Sequence, residues 1–529
     1  MNENVQNMHV SFLDNMQKTL DQENPNVSVT ENGAIGYATT KSALLDLNFA
    51  LSSMRNMADS DIWLTFLKAF NEDPSLAIVW LFFARDVRGG CGERRTFRVI
   101  FERLAYENPN LATSLLALVP EYGRWDDLIW LYDHAQNLGV RSVIETMLKK
   151  QLDDDYDAYL NRKPITLLAK WMPSLNTSSK DTKRIANNLR LGFGWSPKFY
   201  RQRLSVLRMY LQVVECTISA GKWDEVDYES VPSKAGMVYR FAFANHDPER
   251  YRNYLENVKN GKAKMNSDVL FPYEIVHAYM EDDTWEDETK PYDETLELKW
   301  KNLPNCVEAG NETLVVVDGS GSMSSRVGNT SVTCHDVARS LGIYFAERLT
   351  GAFKNAFITF SANPKLIKFV GASTLKSKLD TLIDEDECSN TNIERTFDLI
   401  LQTAIDNHMK QEDLPANILI VSDMEFDAAT YQYSYGLRNN NVDKALFERI
   451  SEHWEIYGYK LPRLVFWNVC SRTGTIPVTE NEMGVALVSG FSPMIADMVM
   501  SGELDPYKIL VDKLHSPRYE NVWKVVMPS

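Results

Sequence analysis

The spacing of apolar residues changes near the middle of the chain. Up to about residue 280, apolar positions recur three and four apart, and clusters of Gly, Pro and Asn separate the repeats. This spacing predicts amphipathic helices joined by short turns, and so many helices in succession favour a helical-repeat array over one bundle. The clearest predicted helices span 61–70, 75–85, 94–106, 110–118, 125–138, 140–151 and 200–220.

The second half alternates short β-branched runs with helical segments. Strands are predicted at 313–318, 355–361, 365–370, 416–422, 463–469 and 484–489, and helices at 334–350, 374–384, 393–407, 443–457, 493–501 and 506–514. Such alternation predicts a mostly parallel, doubly wound α/β sheet. The expected fold class is therefore multidomain, all-α followed by α/β.

A strongly acidic segment at 281–297 marks the border between the two halves. Its charge and scarcity of apolar residues are typical of a linker or a surface excursion. The predicted organisation is a polar extension at 1–29, a helical domain at 30–304 and an α/β domain at 305–529.

Composition limits the classes of protein to which this chain can belong. The six cysteines are scattered without a C-x-x-C pair, which argues against a disulfide framework and a zinc site. The N-terminus lacks the pattern of a signal peptide, and no apolar run approaches the ~20 residues that span a bilayer. We therefore expect a soluble cytoplasmic protein without a membrane partner.

The net charge of −16 is distributed unevenly. Residues 162–208, here called the basic stretch, contain eleven Lys or Arg and one acid, Asp181, with interleaved aromatic residues. Cations that neutralise phosphates, beside rings that stack on bases, are typical of single-stranded RNA binding. The alternative is a solvated basic helix face with aromatic residues in the core.

The near-absence of acids in this stretch favours a polyanion site, and small non-coding RNA is the expected ligand. Trp195 or Tyr200 could stack on a base. The candidate RNA-binding residues are Lys170, Lys183, Arg184, Arg190, Lys198, Tyr200, Arg201, Arg203 and Arg208.

A separate candidate site follows the predicted strand at 313–318. Asp318, Ser320 and Ser322 form an Asp-x-Ser-x-Ser motif with intervening glycines, which permit a tight turn. One carboxylate and two hydroxyls at the carboxyl end of a strand suit Mg²⁺, which prefers oxygen ligands. The motif alone is short enough to arise by chance.

Two later segments can reach the same sheet edge: Thr391 precedes a predicted helix, and Asp423 ends a buried strand. With the first motif, this order resembles the metal-ion-dependent adhesion site of von Willebrand factor A-type domains. The resemblance implies direct Mg²⁺ ligation by Ser320, Ser322 and Thr391, ligation by Asp318 and Asp423 directly or through water, and one position open for a partner's carboxylate. Met424 stands where that family commonly has Gly.

A helical half followed by an A-type domain resembles the Ro (TROVE) RNA-binding proteins, in which a ring of HEAT-like helices is closed by that domain. The chain also resembles TROVE-related proteins of plants, fungi and large viruses or phages, through short phrases across its length. Ro proteins bind misfolded and non-coding RNA, so the resemblance implies a ribonucleoprotein. The phrases begin at Thr30 (TENGA), Arg85 (RDVRGG), Gly123 (GRWDDL), Val231 (VPSKA) and Asp423 (DMEF).

These observations predict a non-catalytic RNA-binding protein with a Mg²⁺-dependent partner site. The alternative is an adaptor that acts through the metal without RNA. An enzyme is the third class, in which Mg²⁺ with Asp318, Asp423 and Glu425 would activate water. Against it, most ligands are neutral hydroxyls, and His335 has no Asp in view to orient it for a Ser-His pair.

Overall fold

The N-terminal half is built of helices, as the apolar spacing predicts. A computed structural model describes residues 26–280, 288–307, 312–360, 363–385, 392–427, 445–477, 485–496, 498 and 505–527. The helices in this half are α1 Ala43–Phe49, α2 Asp59–Glu72, α3 Pro74–Arg85, α4 Arg94–Glu107, α5 Pro109–Leu115, α6 Val119–Tyr122, α7 Trp125–His134, α8 Leu138–Leu160, α9 Leu168–Trp171, α10 Lys180–Gly192, α11 Pro197–Tyr210, α12 Val214–Ser219, α13 Ser233–Val238, α14 Arg240–His246, α15 Pro248–Lys259, α16 Pro272–Tyr279 and α17 Glu294–Lys301.

The predicted helix at 200–220 is wrong in its extent. The segment 200–220 is divided between α11 and α12, because Gln212 adopts a left-handed conformation with φ of 48° that a continuous helix cannot contain. Among the described helices, none is long and apolar enough to cross a membrane.

The C-terminal half contains the predicted six-stranded sheet. The strands lie in the order β5-β4-β3-β6-β7-β8, and all neighbouring pairs are parallel except β4–β5. A two-stranded ribbon near the N-terminus completes the β structure described. The strands are β1 Ser28–Val29, β2 Ile35–Gly36, β3 Thr313–Asp318, β4 Ala356–Phe360, β5 Lys365–Lys368, β6 Asn417–Ser422, β7 Arg463–Asn468 and β8 Val485–Ser489; the helices are α18 Cys334–Arg348, α19 Leu375–Glu385, α20 Ile393–Asp406, α21 Leu446–Ile456, α22 Pro506–Leu514 and α23 Glu520–Val526.

Strand β3 lies inside the sheet and is buried along its whole length. Helix α18 packs against it so closely that a Cβ at Gly342 would lie 2.6 Å from a methyl of Val317. The contact requires glycine, since that distance is well inside van der Waals contact. The strand is thus held firmly beneath the loop that follows Asp318.

The two halves share one hydrophobic core, which contains residues from Ala34 to Val522. At the β8 side of the sheet, the Asn468 amide donates to the Phe49 carbonyl at 2.9 Å, and the hydroxyls of Ser52 and Ser489 lie 2.9 Å apart. The helical half therefore packs directly against the sheet.

The C-terminal segment returns to the helical half. The ring of Tyr519 stacks on that of Tyr122, with centroids 5.7 Å apart, and the Arg518 guanidinium pairs with Asp86 at 2.8 Å. The sequence predicts that residues 305–529 belong to the α/β domain, but Arg518 and Tyr519 contact the first half of the chain.

Two of the sequence phrases meet in a buried charge cluster. Arg85, which is 1% exposed, donates from Nη2 to Asp127 at 2.7 Å, and Arg98 Nε donates to the other oxygen of Asp127 at 2.7 Å. A Cβ at Gly123 would lie 2.6 Å from that carboxylate. The RDVRGG and GRWDDL phrases are therefore explained by packing in the helical half.

Candidate functional site

The Asp-x-Ser-x-Ser motif and Asp423 lie at the same edge of the sheet. Strands β3 and β6 are parallel neighbours, with Val317 opposite Val421, so Asp318 and Asp423 follow at adjacent carboxyl ends. Both side chains are buried, at 1% and 0% exposure. The described members Asp318, Ser320, Ser322 and Asp423 are here called the strand-end cluster.

Hydrogen bonds connect the members of this cluster. The Ser320 amide donates to Asp318 Oδ1 at 2.9 Å, and the Ser320 and Ser322 hydroxyls lie 2.9 Å apart. The Ser322 side chain favours the ionised form of Asp423 and so opposes the rise that burial causes in the pKa of this carboxyl. Ser422 donates its hydroxyl to Asp318 Oδ2 at 2.5 Å. Two carboxylates and two hydroxyls thus converge as the sequence predicts, whereas Thr391 lies outside the described residues.

The backbone after Asp423 adopts the conformation that glycine would favour. Met424 has φ of 64° and is buried, and a long side chain in this region is uncommon. Its amide donates to the Ser422 hydroxyl at 2.9 Å. The left-handed turn therefore exists without glycine, and this departure from the A-type pattern does not prevent the turn.

The strand-end cluster concentrates negative charge in a buried place. Burial, and then the neighbouring Asp423, raise the pKa of Asp318 to about 7. Burial also raises the pKa of Asp423, and the guanidinium of Arg472 opposes this. A bound cation would offset the electrostatic cost of burying two neighbouring carboxylates. The two carboxylates and two hydroxyls therefore fit a hard divalent ion such as Mg²⁺.

Arg472 is a member of the site that the sequence pattern did not reveal. It follows β7, and its Nη1 lies 3.0 Å from Asp423 Oδ2 and 3.3 Å from the Ser325 hydroxyl. Its Nε donates to Glu31 at 2.6 Å. Arg472 therefore supplies one positive charge to Asp423 and links the cluster to the N-terminal segment.

Glu425 accepts hydrogen bonds from two segments that surround the cluster. Its buried carboxylate accepts the backbone N–H groups of Glu31, Arg472 and Thr473 at 2.8, 2.7 and 2.9 Å. The side chain of Asn32 donates to the Glu425 carbonyl at 2.7 Å. The carboxylate is already occupied by these donors, so the role of water activator considered for Glu425 does not fit its contacts.

These contacts also explain the TENGA phrase. The hydroxyl of Thr30 donates to the Phe426 carbonyl at 2.6 Å, and Gly33 forms an isolated bridge with Asp427. Residues 30–34 therefore fasten the loop that carries Asp423. Sequence reasoning could not foresee this pairing because nearly 400 residues separate the two segments.

The basic stretch falls mainly on α10 and α11, and part of it is free for a ligand. Lys183, Lys198 and Arg201 are exposed, and no carboxylate among the described residues lies within ion-pair distance of them. Among the described residues, the Arg190 guanidinium contacts only neutral acceptors, the Asn187 side chain at 3.2 Å and the Trp195 carbonyl at 3.2 Å. These four cations remain candidates for phosphate contacts.

Three other predicted RNA contacts have acidic partners from distant segments. Arg184 forms a two-pronged pair with Asp133, at 2.6 and 2.7 Å. Lys170 lies 3.7 Å from Glu215, and Arg203 lies 3.7 Å from Asp153 while stacking on the Tyr156 ring at 3.6 Å. The apparent excess of positive charge is smaller in the fold than along the chain.

Two predicted RNA contacts need correction. Tyr200 is fully buried and donates its hydroxyl to the Pro173 carbonyl at 2.7 Å, so its ring cannot stack on a base. The Arg208 guanidinium donates to the carbonyls of Ala169 and Met172 and to the Ser174 hydroxyl, at 2.8, 2.6 and 2.9 Å. Both side chains hold α11 against the preceding loop.

Comparison with known proteins finds similarity to two family models in separate parts of the chain. Residues 312–515 match a domain of unknown function (DUF7788), and residues 196–310 match another domain of unknown function (DUF2828). The chain is 30% identical over 526 residues to uncharacterized protein L728 of Acanthamoeba polyphaga mimivirus, covering 92% of this chain and 87% of that protein. The chain therefore belongs to the same family as this viral protein.

Proposed function

We propose that this chain is a binding protein whose strand-end cluster holds Mg²⁺ and captures a partner through a carboxylate. The observation that carries the proposal is the convergence of buried Asp318 and Asp423 with the Ser320 and Ser322 hydroxyls. A von Willebrand A-type fold for the second half is part of this proposal, supported by the parallel sheet and the order of the motifs.

Within this proposal the four side chains of the cluster would hold the ion, with Thr391 as a further ligand. The ion supplies a Lewis-acidic position that a carboxylate can occupy. Asp318 is kept in place by Ser320 and Ser422, and Asp423 by Arg472 and the Glu425 amide. These side chains can bind an ion and orient its ligand. Among its described members the cluster has no nucleophile–base pair, so we propose binding rather than catalysis there.

Water-proton relaxivity of Mn²⁺-loaded protein tests the open position. A coordinated, exchanging water gives high relaxivity, and glutarate, used as a simple carboxylate probe, should displace it and lower the signal. Asp318→Ala should lose the bound Mn²⁺, and Ser324→Ala, which changes an exposed serine of the same loop, is the matched control. Relaxivity unchanged by saturating glutarate would contradict carboxylate capture.

A second candidate function is RNA binding by α10 and α11, in a helical half that we propose to be a TROVE-like array of HEAT-like repeats. The exposed Lys183, Lys198 and Arg201 favour it, because they carry charge that no described carboxylate neutralises. The expected ligand is single-stranded or small non-coding RNA.

Fluorescence anisotropy with a labelled single-stranded RNA over a salt series tests this candidate. Each phosphate contact contributes about 0.7 to the slope of log K against log salt, so changing Lys183, Lys198 and Arg201 to Gln should reduce the slope by about 2. The matched control changes the exposed Lys68, Lys262 and Lys264 to Gln. Equal slopes for both triple variants would contradict this surface, and Asp318→Ala should leave RNA binding intact.

A further inference from the structure

A Ser-His-Asp arrangement that uses no member of the strand-end cluster lies between α16 and the loop before α18. His277 Nε2 lies 2.8 Å from the Ser331 hydroxyl, and His277 Nδ1 lies 2.9 Å from Asp336 Oδ2. These are hydrogen-bond distances on both sides of one imidazole. A nucleophile within reach of a base, which is itself oriented by a third group, is the signature of an activated serine.

Asp336 is well suited to orient the imidazole. It is 4% exposed, and it also accepts the Thr333 backbone N–H at 3.0 Å while Thr333 caps the amide of Asp336 at 3.1 Å. The carboxylate is thus fixed at the start of α18 independently of His277. Because a carboxylate only accepts, His277 Nδ1 donates its proton to Asp336, and Nε2 lies within hydrogen-bond distance of the Ser331 hydroxyl.

Ser331 stands on an exposed but tethered loop. The Val327 amide donates to the Val332 carbonyl at 2.9 Å, and the Thr330 hydroxyl donates to the Val327 carbonyl at 2.6 Å. Asn56 accepts the Gly328 amide at 2.7 Å. The nucleophile is therefore accessible to substrate, while its position relative to His277 is fixed.

The same loop offers donors for a developing oxyanion. Within the described parts of the chain, the backbone N–H groups of Thr330, Ser331 and Val332 make no hydrogen bond. Unengaged N–H groups next to a nucleophilic serine can stabilise the negative charge of a tetrahedral intermediate. Nucleophile, base, orienting acid and candidate oxyanion donors thus occur together.

We propose that Ser331, His277 and Asp336 form an acyl-transfer site that hydrolyses carboxylic esters, an activity separate from metal and RNA binding. Ser331 Oγ bonds to the carbonyl carbon as its proton passes to His277 Nε2, and that proton then leaves with the alcohol when the ester C–O bond breaks. Water, deprotonated by His277, cleaves the acyl-serine and regenerates the hydroxyl, giving carboxylic acid and alcohol. Asp336 acts as a positioning residue.

This site departs from the sequence-based expectation of a non-catalytic protein. A purely structural link between α16 and α18 is the competing explanation. Such a link would not make Ser331 nucleophilic, and the hydrogen bond of an exposed serine contributes little to stability. Reactivity at Ser331 therefore separates the two explanations.

Labelling with a fluorophosphonate probe, followed by peptide mass spectrometry, is the primary test. The proposal expects covalent modification of wild-type protein at Ser331, unaffected by EDTA, and none in Ser331→Ala. Ser324→Ala changes an exposed serine nearby that contacts no histidine among the described residues, and it should label as the wild type does. Absence of label on wild-type Ser331 under conditions that label a reference serine hydrolase would overturn the proposal, as would modification confined to other residues.

Hydrolysis of p-nitrophenyl acetate tests the roles of the other two residues. Asp336→Asn keeps an oxygen that can cap α18 but no longer fixes the tautomer, so the rate should fall by at least about 100-fold with little change in Tm. His277→Gln should lower the rate similarly. Rates in both variants equal to that of the wild type would overturn their assigned roles even if Ser331 is labelled.

Discussion

Replacing Asp318 by Asn should stabilise the metal-free protein while removing its response to Mg²⁺. The carboxylate is buried beside Asp423, and its pKa is raised to about 7 by burial and by that neighbour. Asparagine keeps an oxygen for the Ser320 amide and carries no charge. The variant therefore removes the electrostatic cost of burying a second carboxylate, while a side chain of similar size still fills the site.

The magnitude follows from the linkage between protonation and folding. The pKa of Asp318 rises from the ordinary 3.8 to about 7 in the folded state, and each pKa unit corresponds to about 1.4 kcal/mol. Between about pH 4 and 7 the folded chain holds this proton more tightly than the unfolded chain, so the contribution of Asp318 to stability falls as pH rises. Above pH 7 the ionised group costs at most about 4 kcal/mol, which the Asn variant avoids.

Urea unfolding of both proteins in EDTA, at pH 5 and pH 8, measures this effect. Asp318→Asn should exceed the wild type in unfolding free energy at pH 8, and the difference should shrink at pH 5. Adding Mg²⁺ at about 100 times its Kd should then stabilise only the wild type, by about 2.7 kcal/mol. A variant that is less stable than the wild type at pH 8, or a difference independent of pH, would refute the reasoning.

Three further substitutions test other parts of the structure. Arg472→Met should raise Mg²⁺ affinity about tenfold in calorimetry, because Asp423 loses its protein cation and about 1.4 kcal/mol is one factor of ten; weaker binding would contradict this. Glu425→Ala leaves buried N–H donors unsatisfied and should lower the unfolding free energy by about 3–5 kcal/mol, whereas a loss near zero in urea unfolding would show that the loops do not depend on it. Asp127→Ala leaves Arg85 buried and unpaired, so a similar loss of about 3–5 kcal/mol is expected from thermal and urea unfolding, and unchanged stability would contradict the cluster's structural role.

The sheet and the four members of the strand-end cluster could be predicted because short-range sequence patterns mark them. Runs such as 314–317 are apolar and β-branched, and the six predicted strands all exist near their expected positions. Parallel strands place their carboxyl ends at one edge, so Asp318 and Asp423 had to lie close once β3 and β6 were neighbours. The periodicity of apolar residues and the topology of the sheet are therefore sufficient to predict the sheet and this pair of carboxylates.

The rest depends on contacts between distant segments. Arg472 and the 30–34 segment reach the site only through folding, and no local pattern connects either of them with the strand-end cluster. His277 lies 54 residues before Ser331, so the Ser-His-Asp arrangement is invisible along the chain. The charge of the basic stretch was overestimated for the same reason, since Asp133 and Asp153 approach it from α7 and α8.

Calorimetric titration of EDTA-treated, dialysed protein with MgCl₂ tests the central claim most directly. The account predicts one divalent ion per chain in the wild type and in Ser324→Ala, and no saturable binding in Asp318→Ala. Absence of binding in the wild type, or equal binding by the wild type and Asp318→Ala, would contradict a metal site at the strand-end cluster.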